Sequence, residues 1–151
     1  ITNTTSVQQT VVYTVTPTST ITLCQGNPFT VTVTVNPEPV GVDDTDVACS
    51  DVVLSYSLQN NVLSLGNGVV STFSWVAIDN PDPNVTGENT APTAGSVIND
   101  VITNTSGVPQ DVDFVVTPTS TANGCQGDPF TVTITISVPV HPVAGLLTVK
   151  V

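Results

Sequence analysis

The chain of 151 residues carries 12 Asp and Glu against one basic residue, Lys150, for a formal net charge of −11. With no arginine and one lysine it cannot neutralise phosphates or anionic headgroups, which excludes nucleic acid and acidic membrane surfaces as partners, and no apolar run approaches the roughly 20 residues that insert across a bilayer. The apolar fraction is 39% with only 5% aromatic residues, so any core is built of Val, Ile and Leu, and the wealth of β-branched side chains favours sheet over helix.

Taken in order, the chain opens at Ile1 without the basic-then-apolar pattern of a leader, as expected of a mature chain or a fragment. A first strand pattern places Phe29, Val31, Val33 and Val35 on one face. NPEPVGVDD follows from Asn36, where two prolines and a glycine interrupt the alternation and predict a short, stiff linker. Further strands are expected over 52–59, 69–78, 97–103 and 111–117, separated by the turn-forming LGNG, IDNPDPN and PTSTANGCQGDP. The last strand alternates Phe130, Val132, Ile134 and Ile136 with Thr131, Thr133 and Thr135, a half-buried antiparallel strand with a threonine ladder on its outer face. VPVHPVAG from Val138 resembles a second linker.

The chain repeats itself. ITNTTSVQQTVVYTVTPTSTITLCQGNPFTVTVTV from Ile1 lies without a gap on ITNTSGVPQDVDFVVTPTSTANGCQGDPFTVTITI from Ile102, identical at more than half of the positions, with an offset of 101 residues. Such a period is too long for a solenoid turn and suits an independent sandwich domain. The expected architecture is all-β: seven or so short strands per unit make a two-sheet antiparallel β-sandwich, in tandem repeats of 101 residues. Residues 1–39 form the closing part of one repeat, 40–140 a complete one, and 141–151 a linker or the start of another module. Residues 1–39 cannot cover both faces of their own strands, so they require an upstream segment, a neighbouring chain or the sheet of the complete repeat. Donor-strand pairing between chains is one route from there to a filament.

Three cysteines, Cys24, Cys49 and Cys125, are an odd number, so at least one lacks a partner within the chain. Cys49 and Cys125 fall in the same repeat, and a disulfide between them would contribute about 4 to 5 kcal/mol on the chain-entropy model. The rival readings are a buried thiol pair or a zinc site, for which His141 is the only histidine and two more ligands would be needed. Cys24 would then pair outside the chain, and disulfides imply an oxidising compartment. Trp75, in FSWVAI, reads as a core plug or as a stacking platform for sugar. Asp43, Asp44 and Asp46 at the linker, and Asp79, Asp82 and Asn84 in IDNPDPN, read as solvated turns or as oxygen ligands for Ca2+; neither run has EF-hand spacing. Asn3, Asn84 and Asn104 each head an N-x-S/T triplet. One histidine, no arginine and acids gathered in turns supply no set of nucleophile, base and orienter, so no enzyme is expected.

VACSDVVLSYSL, then FSWVAI, then VVTPTSTANGCQGDPFTVTITI, is an order that resembles the PKD-like repeats of Bacteroidota cell-surface adhesins, including SprB-type gliding-motility adhesins. FSWVAIDNP stands where more typical PKD domains carry W-D-F-G-D-G. The resemblance implies an immunoglobulin-like sandwich, export by a type IX secretion system, an extracellular cell-surface location, and a place in long filaments that grip a substratum. It also implies pairing of Cys49 with Cys125. The expected partners are neighbouring repeats of the same protein, surface glycans or the substratum. The reading of a different class is a glycan-binding accessory module of a secreted enzyme, acting through Trp75 and nearby loops.

Overall fold

The computed structural model describes residues 1–138; the second linker, His141, Lys150 and the expected module at 141–151 lie outside the described residues. Strands β1 (Gln9–Val15) and β2 (Phe29–Val35) form a hairpin sheet of their own. After the linker come β3 (Asp44–Cys49), β4 (Tyr56–Ser57), helix α1 (Leu58–Ser64), β5 (Ser71–Ala77), β6 (Val85–Thr86), β7 (Thr93–Ala94), β8 (Val97–Ile98), β9 (Thr103–Asn104), β10 (Gln110–Ser120) and β11 (Phe130–Ser137). One layer is a five-stranded sheet in the order β3-β11-β10-β5-β7. The other is assembled from α1 and the two short pairs β4–β8 and β6–β9, and the two layers close as a β-sandwich over one core cluster.

Alternation along β10 and β11 builds that core. Val112, Phe114 and Val116 face Val132, Ile134 and Ile136 in a continuous buried row, and β5 adds Phe73, Trp75 and Ala77. Leu58 and Val62 of α1, with Leu54, Val85, Ile98 and Ile102, cover them from the other layer. Burying each of these large side chains contributes about 1.5 to 3 kcal/mol, so the row, rather than any one contact, holds the layers together.

The first hairpin is an internal control for this packing. Its register, Gln9 opposite Val35 through Val15 opposite Phe29, reproduces that of β10 and β11 at the 101-residue offset, Gln110 opposite Ile136 through Val116 opposite Phe130. Yet Phe29 is 52% exposed where Phe130 is 4%, and Val31 is 40% exposed where Val132 is fully covered. The same sequence pattern makes the same hairpin in both places. What differs is the presence of flanking strands and a facing layer.

Four expectations are corrected. The segment 52–59 is not one strand. Alternation of Leu54, Tyr56 and Leu58 carries the chain as far as β4, after which Leu58, Asn61 and Val62 line one face of α1, capped by the Ser57 hydroxyl accepting from the Asn60 N–H. The segment 97–103 is interrupted, with β8 and β9 pairing to different partners, β4 and β6. The sandwich is not wholly antiparallel: β3 runs parallel to β11, from Asp44 beside Val132 to Cys49 beside Ser137. Finally, Cys49 and Cys125 are unpaired and lie at opposite ends of the sheet. Cys49 is level with the end of β11, whereas Cys125 precedes its start, where its carbonyl accepts from the Ser120 N–H at 2.8 Å. Seven strand steps separate those levels, roughly 23 Å, against the 4.4 to 6.8 Å between Cα atoms that a disulfide requires.

Candidate functional site

Trp75 is only 2% exposed and packs edge-to-face on Phe114, with ring centroids 5.8 Å apart at 74°. A ring so enclosed offers no face to a sugar, which removes the stacking platform on which the glycan-binding reading depended. Its Nε1 is buried without an acceptor among the described residues, so the side chain serves packing at a polar cost.

The acidic residues are engaged separately. The Asp43 carboxylate accepts from the Thr131 N–H at 2.7 Å and so caps the start of β11. Asp44 accepts from its neighbour's N–H and, at 2.7 Å, from the Tyr56 hydroxyl; Asp46 accepts from the Val47 N–H. Asp82 accepts from the Asn84 N–H and side-chain amide, while Asp79 is exposed. Asp44, Asp46 and Tyr56 border an open cleft of about 360 Å³. Among the described residues no group of three or more Asp, Glu, His or Cys side chains is arranged to hold a metal ion. Burial, reinforced by the hydrogen bond to Asp44, pushes the Tyr56 hydroxyl up to about 12.

Two of the three N-x-S/T triplets turn out to be structural. Asn104 is fully buried and donates to the carbonyls of Val108 and Ile136, each at 2.8 Å, while its own side-chain oxygen accepts from Ser106. Asn3, its counterpart at the 101-residue offset, makes the corresponding bonds to Val7 and Val35 at 2.9 Å and accepts from Thr5. Each asparagine pins the corner before its hairpin to the end of the last strand. Neither amide is available to a glycan. Asn84 is exposed.

The residues that come together most densely are those around the linker. Three asparagines from three places strap it down. Asn67 donates to the carbonyls of Glu38 at 2.7 Å, Thr4 at 3.0 Å and Thr5 at 3.3 Å, and accepts from the Val40 N–H at 3.0 Å. Asn61, buried on α1, donates to the Val42 carbonyl at 2.8 Å and accepts from the Val42 N–H at 3.0 Å, matching that residue as a strand partner would. Asn123, in the β10–β11 loop, donates to the Pro37 carbonyl at 3.1 Å. The Glu38 N–H in turn donates to the Asn3 carbonyl at 3.0 Å. Close approach completes the seat: a Cβ on Gly66 or Gly127 would lie under 2 Å from the Val40 or Pro39 carbonyl oxygen, and one on Gly41 would strike the Phe130 ring. Only glycine fits at these three positions.

Nothing in the sequence marks this clamp. Asn67 and Asn123 stand beside glycines and read as turn residues, and nothing local reveals that their amides face the linker. The PKD-like domain family profile matches residues 1–39 and 46–139. No curated protein and no solved structure matched the chain.

Proposed function

The chain belongs to the PKD-like domain family, and on that premise we propose that it is a stiff structural spacer repeated in tandem within a cell-surface adhesin or filament, serving cell adhesion or gliding. PKD-like domains are typically extracellular, commonly structural or adhesive, and generally non-catalytic modules. Among the described residues no helix is long and apolar enough to cross a membrane.

One observation carries the reading. Because the first strand of the sandwich, β3, runs parallel to the last, β11, the chain arrives at one end of the sheet and leaves at the other. A domain whose ends are opposed adds its full length to an array, whereas the antiparallel alternative would return the chain to its starting point. The clamp gives the second requirement, a fixed angle between neighbours. Asn61, Asn67 and Asn123 hold successive linker residues from the sandwich side, and the Thr4 and Thr5 carbonyls tie in the preceding corner. Partners on this reading are neighbouring copies of the same unit. Export through a type IX system and a substratum or surface glycan as the final contact belong to the same proposal.

Small-angle scattering on chains of increasing numbers of the 101-residue unit tests it. A stiff array increases its maximum dimension by a constant increment per unit. Growth with the square root of unit number, as for freely jointed beads, would defeat the spacer reading.

A further inference from the structure

Cys49 and Cys125 cannot meet within one sandwich, but the 101-residue offset brings their kind together across the junction. Asn36 occupies in the first segment the place that Ser137 occupies in the second. Cys49 lies beside Ser137 in register, and the neighbouring Ser50 N–H donates to the Ser137 carbonyl at 2.9 Å. A strand covering β2 as β3 covers β11 therefore sets its own cysteine one strand spacing, about 4.8 Å, from Asn36. On the other side of the junction, Asn123 donates to the Pro37 carbonyl at 3.1 Å and accepts from the Cys125 N–H at 2.9 Å. Asn36 and Pro37 are adjacent in the chain, so both cysteines converge on one dipeptide. Cys49 is exposed on an edge strand and Cys125 is half-buried, so an oxidant reaches either.

We propose that these cysteines pair between successive units, the counterpart of Cys49 in one unit with Cys125 of the next, so that every junction carries a disulfide beside the asparagine clamp. The inference rests on the tandem reading above. Two thiols release two protons and two electrons as the S–S bond forms, and a small-molecule or protein disulfide accepts both and departs as two thiols. The odd cysteine count then has a reason. Cys24, in the loop of the first hairpin, faces the unit before it, and Cys49 faces the unit after. Under tension the junction is carried by a covalent bond instead of by side-chain hydrogen bonds alone.

The test is a chain in which residues 40–101 are copied in front of Ile1, so that two successive units are complete. It is equilibrated at low concentration with oxidised and reduced glutathione, then digested without reduction for peptide mass mapping. The expected product is one crosslink joining the added copy of Cys49 to Cys125, lost in Cys125→Ser, with Cys24 and the second Cys49 still open to alkylation. Hydrogen exchange at Thr14, Thr32 and Thr34, whose counterparts Val115, Thr133 and Thr135 pair outward with β5 and β3, reports separately on completion of the first unit. If those amides become protected while all thiols stay open, or the added Cys49 pairs with Cys24, the inter-unit disulfide is wrong and the tandem reading survives. If those three amides stay unprotected, the tandem reading falls and the disulfide with it.

Discussion

Replacing Asn67 by alanine removes the side chain that touches the linker, the preceding corner and its own loop at once. Its two amide hydrogens are shared among three carbonyls, of which Glu38 at 2.7 Å and Thr4 at 3.0 Å are the shorter contacts, and its oxygen holds the Val40 N–H at 3.0 Å. Three good hydrogen bonds at about 1 kcal/mol net each set a ceiling near 3 kcal/mol, and because the side chain is half-buried, water recovers part of the loss. The expected cost is about 2 kcal/mol, concentrated at the junction. That corresponds to a roughly 30-fold rise in local opening. Native-state hydrogen exchange reads it directly, with the N–H groups of Val40 and Glu38 losing protection while Phe114 and Val132 in the core keep theirs. Asn67→Asp should do no better, since it retains the acceptor for Val40 but sets a carboxylate against three carbonyl oxygens. Equal loss of protection in core and junction would refute the reasoning, because Asn67 would then be supporting the whole sandwich and not clamping the linker.

Trp75→Ala should destabilise the sandwich by about 3 to 5 kcal/mol in denaturant unfolding, and the wild-type emission should be that of a buried indole, unmoved by added sugars; a sugar-dependent shift would restore the glycan reading. Leu23 sits at φ 57° where its counterpart Gly124 sits at 72°, a left-handed conformation that costs a side chain about 1 kcal/mol or more. Gly124→Leu should therefore lower the melting temperature by several degrees, while Leu23→Gly should not lower it. Tyr56 links stability to alkaline pH. Its folded pKa of about 12 lies above the ordinary 10.0, so its contribution is complete below pH 10 and is lost as pH rises toward 12. A shift of two units corresponds to about 2.7 kcal/mol, which solvent screening at this half-buried group reduces to about 1 kcal/mol. Phenolate absorbance in a Tyr13→Phe background should place the titration, and Tyr56→Phe should flatten the decline in stability over that range.

What could be read beforehand was what period and composition encode locally. The alternation of Phe130 through Ile136 told which side chains are buried, and the structure buries those four. The 101-residue offset told that two hairpins are alike, and they share a register. Neighbours were not legible, because alternation says which face is inward and nothing about which strand lies alongside. Hence the parallel pairing of β3 with β11 was missed, and with it the separation of Cys49 from Cys125. α1 was hidden for a related reason. Leu54, Tyr56 and Leu58 continue a strand period up to the residue where a helical period begins, and Leu58 satisfies both. The asparagines of the clamp were out of reach because their partners are backbone groups, which leave no mark on composition.

The β1–β2 hairpin separates what register provides from what a facing layer provides. Without flanking strands it keeps its ladder but leaves Tyr13, Val15 and Phe29 exposed, side chains whose counterparts Phe114, Val116 and Phe130 are buried in the complete sandwich. The hairpin depends on local register and on the corner pinned by Asn3 or Asn104. The sandwich depends on a facing layer drawn from the segment that precedes the hairpin in sequence. That segment begins with the linker, so strapping the linker and covering the hairpin are consecutive acts of the same stretch of chain. On the proposed tandem reading, the angle between neighbouring units therefore depends on how Asn61, Asn67 and Asn123 strap this stretch.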